Sequence, residues 1–329
     1  MRRIGRRSLA GGFALAMLLA GCTPAQPAPI PPQAPPESSQ APPPPVPAEP
    51  PPPPVPAQPP SPPANPASGG IEHIVIIVQE NKSASQIMGA GDAGYLNTLA
   101  DEFALAANYR AIMHPSLPNY LALTGGTNAG ITSNCKPKEC RADVRSIADE
   151  VSRSGRSWKM YAESMPAPCG AENSGRYAVK HNPFMYYPSV TADKNSCSAH
   201  VVPLSRLDQD LKSASTLPNY VFISPDLCND THDCPIRTGD DWLARQVPRI
   251  LGSPAFTTRN SLLVVTWDEG SNDDNRVATV FAGPAARTAY RSDAAYTHYS
   301  LLHTIEEVWG LSPLTNNDRN APVMTELLK

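Results

Sequence analysis

Residues 71–81 read IEHIVIIVQEN. The first eight form a dense β-branched run without polar alternation, the pattern of a strand buried on both faces in a parallel sheet. The run stops at Gln79-Glu80-Asn81, so polar side chains follow directly on a buried strand. A second such run, SLLVVTW at 261–267, stops at Asp268-Glu269-Gly270, and NYVFIS at 219–224 stops at Pro225-Asp226. Further strand-like runs occupy 158–162 and 277–282, with a shorter one at 108–113. Between them, apolar spacing predicts helices over 95–105, 117–124, 144–154 and 242–251, and a last helix over 298–309 that Gly310 stops. This alternation predicts an α/β fold with a mostly parallel central sheet and helices on both faces. In such sheets ligands bind beyond the carboxyl ends of the strands. Glu80, Asn81, Asp226, Asp268 and Glu269 are therefore expected to converge on one edge. The segment 135–200, rich in Ser, Asn, Pro and Cys, reads as a disulfide-pinned excursion over that edge.

Upstream, the chain opens with Arg2, Arg3, Arg6 and Arg7, followed by an apolar run over 9–20 that ends Leu19-Ala20-Gly21-Cys22. The run is short for a spanning helix and reads as a signal peptide over 1–21. Small residues before a cysteine suit lipoprotein processing, which makes Cys22 the expected lipidation site and anchors the protein to a bacterial membrane. Arg6-Arg7-Ser8-Leu9 is also a loose match to a twin-arginine export signal. Residues 23–70 hold 23 of the 39 prolines and almost no large apolar side chains. Such chain cannot bury a core and favours an extended form of roughly 3.1 Å per residue, a reach on the order of 100 Å. Residues 22–70 thus read as a lipidated stalk, and 71–329 as one catalytic domain facing away from the cytoplasm. The formal charge of −3 becomes −7 without the four leader arginines, and the domain has no basic tract, which argues against a nucleic-acid partner. Its six cysteines are even in number, as expected of disulfides in an exported chain. The simplest connectivity pairs neighbours: Cys135–Cys140, Cys169–Cys197 and Cys228–Cys234. No C-x-x-C spacing suggests a structural zinc site.

Several residues could carry chemistry. Ser116, in His114-Pro-Ser-Leu-Pro-Asn119, stands at a strand-to-helix junction where an N-cap hydroxyl and free N–H groups would meet a phosphate. Asp268 and Glu269 at the end of one strand repel each other unless a cation joins them. Asp226 with His232, and His298 behind the N-cap candidate Thr297, complete the set. Each has a plain structural reading too: a helix cap, an acidic turn, a core histidine.

Taken together, the segments resemble a bacterial phosphoesterase family that includes secreted acid phosphatases and phospholipases C, similar in turn to the alkaline phosphatase superfamily. The resemblance rests on Glu80-Asn81-Lys82-Ser83, HPSLPNYLALTGG (114–126), SPDLCNDTHDC (224–234), VVTWDEG (264–270) and THYSLLHTIEEVWGL (297–311). The second and third look most like the branch of acid phosphatases active on phosphoinositides. The resemblance implies Ser116 as nucleophile, Asn119 as a phosphate ligand with His114 beside it, and a metal held by Glu80, Asn81, Ser116, Asp268 and Glu269. Asp226, His232 and His298 would match a second metal site or act as phosphate contacts, acid and base. Glu269 stands where relatives often have histidine, and the Asp226–His232 spacing is long, so the resemblance implies one divalent cation and leaves a second open.

A serine hydroxyl is a weak nucleophile near neutral pH, and a bound cation both activates it and neutralises phosphoryl charge. Oxygen ligands suit Mg²⁺, Ca²⁺ or Mn²⁺, and added histidines favour Zn²⁺. The expected function is phosphomonoester hydrolysis through a phosphoserine, on a phosphorylated small molecule or a phospholipid headgroup. The rivals are a phosphodiesterase or phospholipase C on the same scaffold, and a non-catalytic surface-displayed binding lipoprotein.

Overall fold

The computed structural model describes residues 70–329, so the expected leader, Cys22 and all but the last residue of the stalk lie outside the described residues. Nine strands are present: β1 (His73–Gln79), β2 (Ala104–Arg110), β3 (Trp158–Ala162), β4 (Val201–Pro203), β5 (Tyr220–Ser224), β6 (Ser261–Trp267), β7 (Arg276–Ala282), β8 (Tyr290–Ser292) and β9 (Tyr296–Thr297). They form one sheet in the order β4-β3-β5-β1-β6-β7-β2-β8, with β9 also pairing with β2. Every pairing is parallel except the two made by β7, so β7 alone runs against the rest. The mostly parallel α/β sheet expected from the sequence is what forms.

β1 lies between β5 and β6, and both β1 and β6 are buried at every position. That is why their sequences do not alternate: each face of the sheet needs apolar side chains. The helix Gly94–Glu102 packs with Ile236–Leu251, and Ser116–Gly125 packs with His298–Trp309. The last helix starts at a capping box of Thr297 and Ser300 and ends at Gly310, whose φ of 62° is the left-handed cap that glycine adopts without strain.

Several boundaries differ from the sequence expectation. The helix expected to 105 ends at Glu102, and the strand expected at 108–113 is the tail of β2. Ala104 and Leu105 read as helical, yet they pair with Phe281 and Val280 of β7. Sheet pairing in a buried site overrides even the strong intrinsic helix preference of alanine. The helix expected from 144 begins at Ile147, behind a capping box of Ser146 and Asp149. Segment 135–200 is more than an excursion, because it supplies β3 to the sheet. The three expected disulfides, Cys135–Cys140, Cys169–Cys197 and Cys228–Cys234, are all formed.

Candidate active site

Register builds the site. Gln79 at the end of β1 pairs with Trp267 at the end of β6. Glu80 and Asp268 therefore occupy the next rung of two parallel strands, which lie about 4.8 Å apart. Asn81 turns away with φ 55° and donates its N–H to Asp268 Oδ1 at 3.1 Å. Two reversals through β7 make β2 point the same way as β1, so β2 delivers residues 111–115 to this same edge. There the helix Ser116–Gly125 begins with Ser116 as its first helical residue. Pro115, not Ser116, takes the N-cap position, which corrects the expectation of a capping serine. The Ser116 hydroxyl is consequently free of capping duty. Its Oγ donates toward Glu80 Oε2 at 3.1 Å and Glu269 Oε1 at 3.2 Å, and the residue is buried. One helical turn on, the Tyr120 hydroxyl donates to Glu80 Oε1 at 2.6 Å.

Three carboxylates, Glu80, Asp268 and Glu269, thus share one buried pocket around a serine hydroxyl. Burial, with Glu80 and Glu269 close by, holds Asp268 well above the usual carboxylate range. Burial also raises Glu269, against the opposing pull of His114, whose Nδ1 lies 2.5 Å from Glu269 Oε2. Burial would raise Glu80 as well, but the charge of His181 and its contact outweigh it, and Glu80 is held at about 2. His181 is pinned between two carboxylates, Nε2 at 3.1 Å from Glu80 Oε1 and Nδ1 at 3.2 Å from Asp230 Oδ2. These are ion-pair distances without hydrogen-bond alignment, since His181 Nε2 and Asp230 Oδ2 have no hydrogen-bond partner. Burial alone would lower His181, yet the two carboxylates raise it to about 9, so it carries its proton at neutral pH.

The donor set fits a cation. Asp268 Oδ2 is buried and has no hydrogen-bond partner, a costly state for a carboxylate oxygen unless a cation faces it. Glu80, Asp268, Glu269 and the Ser116 hydroxyl are hard oxygen donors of the kind Mg²⁺, Ca²⁺ or Mn²⁺ accept. A second group, Glu80, His181 and His232, brings one ligand atom each within 4.8 Å. That group joins two imidazole nitrogens to one carboxylate, and a cation bound there would displace the His181 proton.

The Phosphoesterase family profile matches residues 90–312. The chain belongs to the Phosphoesterase family. It is a phosphoester hydrolase, 35% identical over 257 residues to the phosphatidylinositol-3-phosphatase of Mycobacterium tuberculosis, a match that covers 78% of this chain and 82% of the relative. It is 34% identical over 242 residues to the phosphate-repressible acid phosphatase of Penicillium chrysogenum, covering 70% of this chain and 57% of that one. The chain therefore spans little more than half the length of this fungal relative. Among solved structures, a protein of the alkaline phosphatase superfamily from Vibrio parahaemolyticus matches with a TM-score of 0.56 at 12% identity, over 78% of this chain and 71% of that one. A murine ectonucleotide pyrophosphatase/phosphodiesterase 5, solved with AMP, matches with a TM-score of 0.55 at 13% identity, over 78% of this chain and all of that one. These two likenesses are of fold.

In this phosphoesterase the expected residues divide into two groups. Glu80, Asn81, Ser116, Asp268, Glu269 and His114 meet as described. Four others call for comment. Asn119 is not turned to a ligand: Oδ1 accepts from the N–H groups of Ile112 and Met113, and Nδ2 donates to the carbonyls of Met113 and Pro115. It is a clamp on the loop that presents Ser116. Asp226 caps its own turn, accepting from the N–H groups of Cys228 and Asn229 and from Ser164 Oγ. The acid that this loop sends to the site is Asp230. His298 is fully buried, with Nε2 donating to the Asp268 carbonyl at 2.6 Å and Nδ1 accepting from Tyr109 at 3.0 Å. Burial lowers it to about 4, and both of its ring nitrogens are bonded within the protein, one of them under Asp268. His232 is half-buried at the mouth. It follows Thr231, a β-branched residue held at φ 73° by a 2.7 Å bond from its Oγ1 to the Glu80 carbonyl and by Lys82, which donates to its carbonyl at 2.8 Å. Such a conformation is sparsely populated and persists only where surroundings enforce it.

Sequence reasoning missed His181, Asp230 and Tyr120. Tyr120 lies four residues after Ser116 on one helix, so the i,i+4 rule could have found it. Asp230 lies in a quoted segment but was passed over for Asp226. No periodicity or spacing pointed to His181, which sits in a one-turn helix, Val179–His181.

Proposed function

We propose that this protein is an exported, lipid-anchored phosphomonoesterase that uses one divalent cation and a phosphoserine at Ser116. The observation that carries the reading is the Ser116 hydroxyl directed at Glu80 and Glu269 beside an unpartnered Asp268 oxygen. A cation held by Glu80, Asn81, Asp268 and Glu269 would supply Lewis-acid stabilisation of the phosphoryl oxygens. Ser116 Oγ attacks phosphorus as the bond to the leaving oxygen breaks. Glu269, whose Oε1 lies 3.2 Å from the Ser116 hydroxyl, takes the serine proton. The protonated His181 holds Glu80 and Asp230 in place and adds positive charge near the incoming phosphate. His232 is the histidine at the mouth that can protonate the leaving oxygen. Water then cleaves the phosphoserine and releases inorganic phosphate.

The relatives' names support a phosphoinositide or another organic phosphate monoester as substrate. Export and anchoring rest on the signal-like leader and Cys22. The test assays chelated enzyme on p-nitrophenyl phosphate and on bis-p-nitrophenyl phosphate, with single divalent cations added back. Hydrolysis of the monoester should require a cation, and acid-quenched enzyme should carry one phosphoryl group on the Ser116 peptide. Ser116→Ala should remove both, with a loss of several orders of magnitude. Activity without metal, retention of a tenth of the rate by Ser116→Ala, or preference for the diester would each overturn the corresponding part.

A further inference from the structure

A pocket of about 450 Å³ opens beside the site, lined in part by Asn134, Lys136, Tyr177, Val179, Lys180 and His232. Two contacts tie its lining to the reacting centre. Asn134 Oδ1 accepts from the N–H of Leu117, the neighbour of Ser116, at 3.0 Å. His232 brings a ring nitrogen within 4.8 Å of ligand atoms on Glu80 and His181. The volume lies in the range of small-molecule sites. Buried Tyr177 and Val179 give it an apolar wall, and two lysines line it from separate segments, Lys136 from the Cys135–Cys140 loop and Lys180 from the turn that carries His181.

We infer that this pocket receives a leaving group that carries a second anion, and that Lys136 and Lys180 read that anion. The inference rests on the phosphomonoesterase reading above. Lys136 is paired with Glu172 at 3.4 Å on the surface, an ion pair of little worth that an incoming phosphate can displace. Glu139, the acid in the lining, has its carboxylate bonded to the Lys136 N–H. Lys180 has a further role. Its Nζ lies 3.2 Å from His232 Nε2, while His232 Nδ1 faces Asp233 Oδ1 at 2.6 Å. An ammonium only donates, so His232 Nε2 is the acceptor and the ring proton sits on Nδ1. An anion that draws Lys180 into the pocket frees Nε2 to take a proton from solvent, and the imidazolium, with Asp233 at Nδ1, can then pass that proton to the leaving oxygen. Lys180 is thus both a specificity residue and a positioning residue for His232.

The test compares kcat/KM for three substrates with full enzyme: p-nitrophenyl phosphate, fructose 1,6-bisphosphate, and a short-chain soluble phosphatidylinositol 3-phosphate whose leaving group carries a phosphodiester. Wild type should prefer the two substrates with a second anion. Lys136→Met and Lys180→Met should each lower that preference ratio at least tenfold, and Lys136→Arg should restore it. In Lys180→Met the pH–rate limb assigned to leaving-group protonation should also shift, which loss of a merely structural contact would not produce. A ratio unchanged in both Met variants would overturn the inference while leaving the hydrolase reading intact. A drop seen only when the lipid is presented in anionic vesicles would also overturn it, by moving the lysines from the leaving group to the membrane surface. Failure of wild type on all three substrates would instead remove the phosphomonoesterase reading itself.

Discussion

Asp268→Asn separates a metal ligand from a structural carboxylate, because the two roles predict opposite signs. Without metal, Asp268 has one oxygen held by the Asn81 N–H and one with no partner, with Glu80 and Glu269 beside it. Folding either keeps this charge against two neighbours or takes up a proton, and both cost free energy. A buried polar atom left without a partner costs about 1–3 kcal/mol, so a gain of about 1 kcal/mol is expected when an amide replaces the carboxylate. The amide keeps the bond from Asn81 and turns an NH₂ group toward Glu80 and Glu269. In a domain of this size, about 1 kcal/mol is roughly 2–4 °C in Tm, so the chelated variant should melt that much above chelated wild type. Cation at a hundred times its Kd stabilises by about 2.7 kcal/mol, which adds roughly 5–10 °C to wild type. The variant should lose most of that shift and about a hundredfold or more of its activity at fixed cation. The assay is thermal denaturation of both proteins in chelator and across a cation titration, with hydrolysis measured in parallel. A variant that melts below wild type in chelator, yet shows the full cation shift, would refute the metal-ligand assignment.

The same thermodynamic measurements test three further expectations. His298 is neutral when folded at about 4 and charges nearer 6.5 when unfolded, so its contribution is complete above pH 6.5 and is lost as pH falls toward 4; His298→Phe should be about 2–5 kcal/mol less stable at neutral pH, since it strands the Asp268 carbonyl and the Tyr109 hydroxyl, and denaturant titrations should show that the acid-side slope shrinks. Glu306 is pushed up to about 9 by burial and by Asp318, so its contribution is complete below about 4.5 and is lost as pH rises through 9; Glu306→Gln should raise Tm at pH 9 by roughly 2–4 °C, for about 1 kcal/mol, and flatten the alkaline limb. Cys22→Ser should move the protein from the membrane to the soluble fraction with hydrolysis retained, as fractionation and assay of a cell lysate would show, because firm anchoring needs the acyl chains and the expected stalk separates them from the site.

The fold was legible where burial leaves a periodic trace. β1 and β6 read as unbroken apolar runs because both of their faces are covered, and the last helix matched residue for residue because its cap and its glycine stop are local chemistry. β2 was misjudged because nothing local tells Ala104 and Leu105 to pair rather than coil; that decision belongs to β7, far along the chain. The site followed the same division. Glu80, Asp268 and Glu269 could be placed together because strand ends of one parallel sheet share an edge, and register does the rest.

His181 could not be placed that way, since a one-turn helix inside a disulfide-bearing segment has no periodicity to read. The loop after β5 shows a second reason. Asp226 was the right residue type just past a strand, but a carboxylate that comes immediately before unpaired N–H groups is taken by them first. Its two oxygens serve Cys228, Asn229 and Ser164. Asp230, four residues later, accepts one local bond at Oδ1 from the His232 N–H. Its Oδ2 makes no hydrogen bond and faces His181 at 3.2 Å. In a turn-rich loop at a sheet edge, the acid available for chemistry is therefore the one left over after the turn has satisfied its backbone. Asp268 obeys the same rule, with Oδ1 spent on Asn81 and Oδ2 unspent beside Ser116. The unspent oxygens mark the places where a cation or a protonated imidazole completes the site.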